Sequence, residues 1–423
     1  MANYVLRRDP GSSDDESLGF QLGDTVDNLL TGERWYYGTK GGGWEAIAEQ
    51  SGGGGGGLTG FTSSLNTTSP NDSVNASELL ASGGTSNQDY VASPKGVGAF
   101  LLTLPTGDGT GGNKRGQNAV DLQIFEFGKN SATEVASGQF SFIGGGAQNT
   151  ASQIFSAVLS GLTNNASAFA TCIAGGEGNT NSGQYGFIGG GVNNIIDGEA
   201  YAFIGGGTNN SANAEFSLVC GGDSNTAQNQ YDAVCGGIGN TASGGYSFVG
   251  GGDNNTADGQ FSYIVCGFGG HTHGIEAYGV VSGGVFAAQG DAQLGVLPLR
   301  IATEDGSTKV LTSDGSAATA SNQIILSDNS TFGFHGSVVA RDNSANSSYW
   351  EFKGLIKRGS GESSTTLIGS CVASLLAQDS GASTWAVTLV ADTVNGGLSV
   401  VVAGQSGATI HWMCRIETEE LVF

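Results

Sequence analysis

Proline is scarce. Only 5 of the 423 residues are Pro against 75 Gly, and glycine without proline excludes a collagen-type helix. Charge is thin as well: 13% of residues are charged, about half of the ~25% usual in globular proteins, so Ser, Thr and Asn carry the solubility. Cations are the scarcest, with 15 Lys and Arg against 38 Asp and Glu, a net charge of −23. Nucleic acids and anionic membranes are bound by clustered Lys and Arg, so neither nucleic acid nor membrane insertion is expected. No apolar run approaches the ~18 residues of a transmembrane helix. The opening MANYVLRRDPGSSDDES lacks the apolar core of a signal peptide, and synthesis in the cytosol without export by that route is expected. The six cysteines show neither CxxC pairs nor zinc spacing, so they read as small buried packing residues.

What is present is a repeat. A β-branched column runs Ile143, Val158, Ile173, Ile188, Ile204, Val219, Val234, Val249 and Ile264, in steps of 15 with one of 16 between Ile188 and Ile204. An asparagine column (Asn149, Asn164, Asn179, Asn194, Asn210, Asn225, Asn240, Asn255) keeps the same step. An aromatic column leads each unit, from Phe140 and Phe155 through Tyr185, Tyr201, Phe216, Tyr231 and Tyr246 to Phe261, with Phe169 one place early in the third. A tenth unit, Tyr278 to Gly284, follows a two-residue insertion.

Fifteen residues are too few for a helical repeat of ~34 and suit one coil of a β-solenoid with two short strands. Coils stacked at ~4.8 Å place like residues above one another, and about ten coils make a rod roughly 48 Å long. The small column after the aromatic (Ser141, Ser156, Ser217, Ser247) shares a strand face with Val/Ile and is expected inside. The aromatic column and the residue two later then face outward, where so long an apolar stripe is expected to pack on another chain; the opposite arrangement is the alternative. Asp232, in the small column, has no account at this level.

The Gly-Gly and Asn-x-Ala-x-Gly elements over 138–287 resemble the left-handed parallel β-roll heads of trimeric autotransporter adhesins, in which three chains associate along the roll. Those adhesins carry a signal peptide and a membrane anchor, both of which this chain is expected to lack. SPKGVGAFLLTLP (93–105) and NKRGQNAVDLQ (113–123) resemble segments that precede such repeats in bacteriophage tail-fibre proteins. Pieces around Trp350, Asp392 and Arg415 resemble the C-terminal knob of those fibres.

Six strand-length runs with alternating faces lie between Thr331 and Phe423, and Asn395-Gly396 marks a hairpin, so this region reads as a β-sandwich or jelly roll. Near the other end, ERWYYGTKGGGWEAI reads as one or two strands about a glycine turn, and Ser51 to Gly57 as a flexible linker. Lys114 and Arg115 read as a solvated turn, with an anion site as the alternative.

The fold expected is all-β: a trimeric β-roll (solenoid) of about ten 15-residue coils, a small N-terminal β module and a C-terminal antiparallel β-sandwich knob. By residue, 1–50 is a virion-attachment module, 51–57 a linker, 58–137 a β-rich shaft segment, 138–287 the roll, 288–330 a neck and 331–423 the receptor-binding knob.

No Walker A, GxSxG, HExxH or EF-hand pattern occurs. Asp223 and Asp253 share a column with Ile238 between them, so no paired-carboxylate groove is legible and no enzyme is expected. His271-Thr272-His273 interrupts the strict repeat. It reads either as an exposed glycine-rich loop or as a metal site at His271 and His273, where six imidazoles of a trimer would suit an iron-type ion on the axis; this resembles the axial iron sites of some phage fibres.

The resemblances imply a homotrimeric tail fibre of a bacteriophage virion, its N-terminus on a tail or baseplate protein and its knob on a host receptor or glycan. The knob loops 342–348, 360–364 and 379–383 are the expected contacts. A tailspike that cleaves surface polysaccharide and a purely structural fibre are the alternatives.

Overall fold

The computed structural model describes residues 99–101, 115–123, 134–198 and 200–423, together with four strands near the N-terminus. The chain divides into two units, Met1–Ala92 and Ser93–Phe423. In the first, Asn3–Leu6 pairs in parallel with Thr25–Asn28, which pairs antiparallel with Arg34–Tyr37, and that strand with Trp44–Ile47. The two strands read from ERWYYGTKGGGWEAI are thus paired, Tyr37 opposite Trp44. The linker 51–57 lies outside the described residues.

In the second unit the repeat is a β-solenoid of about nine turns. Each coil contributes two two-residue strands, such as Phe187–Ile188 and Ile195–Ile196, to two parallel sheets. The Val/Ile column from Ile143 to Ile264 is fully buried, as is the alanine column from Ala151 to Ala257. Burying each Val or Ile of the first column stabilises by about 1.5–3 kcal/mol. Phe155 is 52% and Phe216 40% exposed, so the faces are those the alternation gave.

One local detail differs. The aromatic residue is not in the strand but in a left-handed turn before it, as at Tyr201 (φ 63) and Phe216 (φ 59). A non-glycine residue there is unfavourable by about 1–2 kcal/mol. The ring stacking that this turn permits offsets the cost: Tyr201, Phe216 and Tyr231 follow one another at 5.0 Å. In the third coil Ala170 (φ 53) takes the left-handed place, which is why Phe169 stands one position early; its ring still joins the column, 5.4 Å from Tyr185.

The asparagines form a buried ladder. Asn194 Nδ2 donates to the carbonyls of Gly190 and Gly207, both at 2.9 Å, while its Oδ1 accepts from Asn210 N at 3.0 Å in the next coil. That last bond spans the 16-residue step, so the extra residue is absorbed elsewhere in the coil. Gln123 Oε1 caps one end by accepting from Asn149 N at 3.0 Å, and Gly270 N closes the other on Asn255 Oδ1 at 2.8 Å. Glycine is required beside the ladder: a Cβ on Gly207 (φ 90) would lie 2.1 Å from Gly222 O. No Lys or Arg occurs between Lys129 and Arg300, so hydrogen bonds, stacking and burial hold the coils together.

The same sheet begins before the repeat. Phe100–Leu101 pairs with Val120–Asp121, and Asp121 with Ile143, so two irregular rungs precede residue 138. Arg115 is not in a solvated turn: its Nε donates to Asp121 Oδ2 at 3.0 Å and both side chains are buried. Asp232 finds its account in two bonds across coils. Its Oδ1 accepts from Ser247 N (2.9 Å) and Oγ (2.8 Å), and Oδ2 accepts from Asn229 N at 2.8 Å.

Beyond the roll the chain becomes antiparallel. Gly279–Ser282 pairs in parallel with the last coil and antiparallel with Ala292–Thr303, which runs beside Ile410–Val422 for its whole length. Residues 292–303 of the expected neck are therefore part of the sheet. Pro298 is tolerated because the Gly279–Ser282 pairing ends at Val296, leaving that edge open. The large sheet continues through Ser330–Asp342 and Ser347–Arg358. A second sheet, built on Gly397–Ala403 and Ala386–Asp392, covers it. Trp412 packs between Trp350 (5.7 Å) and Trp385 (5.8 Å) at the centre of this sandwich.

Candidate functional site

Strand alternation decides which side chains leave the sandwich core. Trp350, Phe352, Cys414 and Ile416 point inward and are buried, so Glu351, Lys353, Arg415 and Glu417 point outward on the large sheet. Register does the rest. Ser337 lies opposite both Glu351 and Arg415, and His335 opposite both Lys353 and Glu417. Two polar rows thus cross three strands and floor a groove of about 780 Å³, walled on one side by Val372 and Leu376.

Inside it, His335 Nε2 lies 2.7 Å from Glu417 Oε2, and Arg415 pairs with the other oxygen of the same carboxylate. Tyr349 Oη donates to Glu351 Oε1 at 3.0 Å. Glu417 is 26% and His335 50% exposed, so the floor is open to a ligand. Two strand spacings and one two-residue step put the Cα atoms of Glu351 and Glu417 about 12 Å apart. Two carboxylates, a phenol, an imidazole and a guanidinium beside an apolar wall can hydrogen-bond hydroxyl groups and pack against a sugar ring. The alternation of 351/353 and 415/417 was in the sequence; that the two pairs meet across His335 was not.

The expected loops are divided. Residues 342–348 and 379–383 meet, since Ser347 N donates to Asp379 Oδ2 at 2.8 Å. The 360–364 loop instead belongs with Asp328, whose Oδ1 accepts from Gly361 N at 3.0 Å.

His271 and His273 are together, their ring centroids 4.6 Å apart, where the last coil meets the sandwich. Each ring has a carboxylate partner from its own chain: His271 Nε2 lies 2.9 Å from Asp258 Oδ2, and His273 Nε2 3.6 Å from Glu420 Oε2. Burial pushes the Asp258 carboxyl up, but bonds from His271, Gly274 N and Thr272 Oγ1 more than offset it and hold it well below the ordinary value. Burial raises Glu420, which also meets Tyr278 Oη, Thr418 Oγ1 and Gln293 Nε2. Among the described residues no group of three or more His, Cys, Asp or Glu side chains is arranged to hold a metal ion.

The cysteines depart from expectation. Only Cys414 is buried; Cys172 and Cys371 are intermediate, and Cys220, Cys235 and Cys266 are exposed. Asp223 and Asp253 bridge to Ile238 from either side, two coils apart as their column requires.

The sequence matches no protein-family profile and no curated protein. Among solved structures it is similar to the tailspike protein gp49 of Acinetobacter baumannii bacteriophage Fri1, a capsular polysaccharide depolymerase, at 10% identity and a TM-score of 0.19 over 71% of this chain and 66% of that one. The tailspike protein of Acinetobacter phage vB_ApiP_P1 is similar at 10% identity and a TM-score of 0.17, over 99% of both chains. The expectation that the chain is not an enzyme is corrected here. The first of these proteins is a depolymerase. The missing carboxylate groove was a feature of the linear sequence, because Glu351 and Glu417 come together only through cross-strand register.

Proposed function

We propose that this chain is a host-attachment spike of a bacteriophage virion, and that the groove over His335 binds host surface polysaccharide and carries the carboxylates that cleave it. The observation that carries this reading is the groove itself: Glu351 and Glu417 face one cleft whose floor is polar and whose wall is apolar. From Cα atoms ~12 Å apart, two glutamate side chains that lean toward each other can bring their carboxyl groups to the ~6.5–9.5 Å that inversion at the anomeric carbon uses. Glu417, paired with His335 and Arg415, suits the base; Glu351, bonded only to a phenol among the described contacts, suits the acid. The half-exposed aromatic column along the roll supports association of copies along that face, as a trimer of three times the 42.5 kDa chain mass. The first 50 residues would dock on the tail.

The test is to incubate the full chain with surface polysaccharide from susceptible cells and to measure both retention on that polymer and new reducing ends. Glu351→Gln is expected to lose about 10²–10⁴-fold in cleavage while binding persists. Binding without reducing ends would leave attachment alone. No retention of the polymer, with the protein folded, would overturn the reading.

A further inference from the structure

Within the roll, Val219 and Val234 are in-register partners in adjacent coils. The next residue in each coil is a cysteine, and the chain keeps register there: Cys220 N donates to Val234 O and Cys235 N to Val249 O, both at 3.0 Å. Coil spacing therefore places the two Cα atoms about 4.8 Å apart, inside the ~4.4–6.8 Å range that a disulfide spans. Both thiols are free and exposed. Gly205 and Gly250 occupy the same column on either side, so no neighbouring side chain in that column covers the pair or separates it from solvent. The other exposed thiol, Cys266, is two coils further on and one place out of the column.

We propose that Cys220 and Cys235 are a redox site, a dithiol that closes to a coil-to-coil disulfide when the protein meets a low-molecular-weight disulfide. The step is thiol–disulfide exchange. One cysteine thiolate attacks oxidised glutathione and expels one glutathione thiolate, and the second cysteine then attacks the mixed disulfide and expels the protein sulfur's glutathione partner. One S–S bond forms in the protein as one is broken in the oxidant; two thiol protons leave, and two glutathione thiols are produced. Partial burial and the neighbouring Cys235 both push the Cys220 thiol up, so the rate of closure rises through alkaline pH.

The experiment uses the full chain, fully reduced and then exposed to oxidised glutathione, alkylated and cut by chymotrypsin at Tyr231, which lies between the two cysteines. The expected result is a single species in which the peptides bearing Cys220 and Cys235 are joined and neither carries glutathione, while Cys266 takes glutathione as an adduct. In Cys220→Ser the expected product is a stable glutathione adduct on Cys235. Glutathione adducts on both Cys220 and Cys235, both thiols left free while Cys266 reacts, or a cross-link between chains on a non-reducing gel would each overturn the proposal.

Discussion

Replacing Asn194 with alanine probes what holds one coil to the next. The side chain is fully buried, and its Oδ1 is the acceptor for Asn210 N in the following coil. Alanine leaves that buried N–H without its partner, at about 1–3 kcal/mol. It also removes the donors to Gly190 O, Gly207 O and Asn179 Oδ1, though Gly207 O keeps its bond from Val192 N and Asn179 Oδ1 its bond from the residue 194 N–H. At up to about 1 kcal/mol for each lost bond, Asn194→Ala is expected to cost about 2–5 kcal/mol in all. Asn194→Asp keeps an acceptor for Asn210 N but aims a charge at two carbonyls. It should be at least as damaging at neutral pH, and recover in part in acid, where the protonated carboxyl can donate again. Thr208→Ala, at a half-exposed site on the next coil, should stay within about 0.5 kcal/mol. Urea denaturation gives the differences. Hydrogen exchange should place the loosening in the coils on either side of residue 194, because solenoid coils contact only their neighbours. An Asn194→Ala chain as stable as Thr208→Ala would refute the ladder as a source of stability.

Asp232 gives a pH test. Burial raises its carboxyl above the ordinary value, outweighing the bonds from Ser247 and Asn229, so the native state holds the proton more tightly than the unfolded chain. Its contribution is then complete below the unfolded value and lost as pH rises through the folded one. Asp232→Ser restores the residue of the neighbouring coils, and Ser247 N can turn to Gly244 O as Ser262 N does to Gly259 O. The variant should gain on the wild type as pH rises from 4 to 7, roughly the span above an unfolded Asp; parallel stability curves would show the reasoning wrong. Ala170→Gly relieves a left-handed alanine at φ 53 and should change stability by between about 0 and +1 kcal/mol; a loss above about 1 kcal/mol would contradict that. Light scattering of the full chain should give three times 42.5 kDa, and a monomer at micromolar concentration would remove the trimer.

The solenoid was legible because its physics is one-dimensional. When coils stack in register, each position in the sequence becomes a column in space, so the spacing of Ile143 to Ile264 and Asn149 to Asn255 already carried the interior, the ladder and the outward aromatic edge. Which dihedral each column adopts was less accessible: a tyrosine at φ 63 is against the local preference, and only stacking on the coils above and below makes it favourable. In the sandwich the period-two pattern told inward from outward at Trp350, Glu351, Arg415 and Ile416, but not which strand lies beside which. The pairing of Ser330–Asp342 with both Ser347–Arg358 and Ile410–Val422 sets Glu351 and Glu417 about His335. The pairing of Ala292–Thr303 with the last strand likewise turns part of an apparent neck into sheet. The contacts with the last strand join residues 68 to 129 positions apart, and no local propensity encodes them. They exist because burying one face of every strand at once admits few arrangements, and the groove is what that arrangement leaves on the other face.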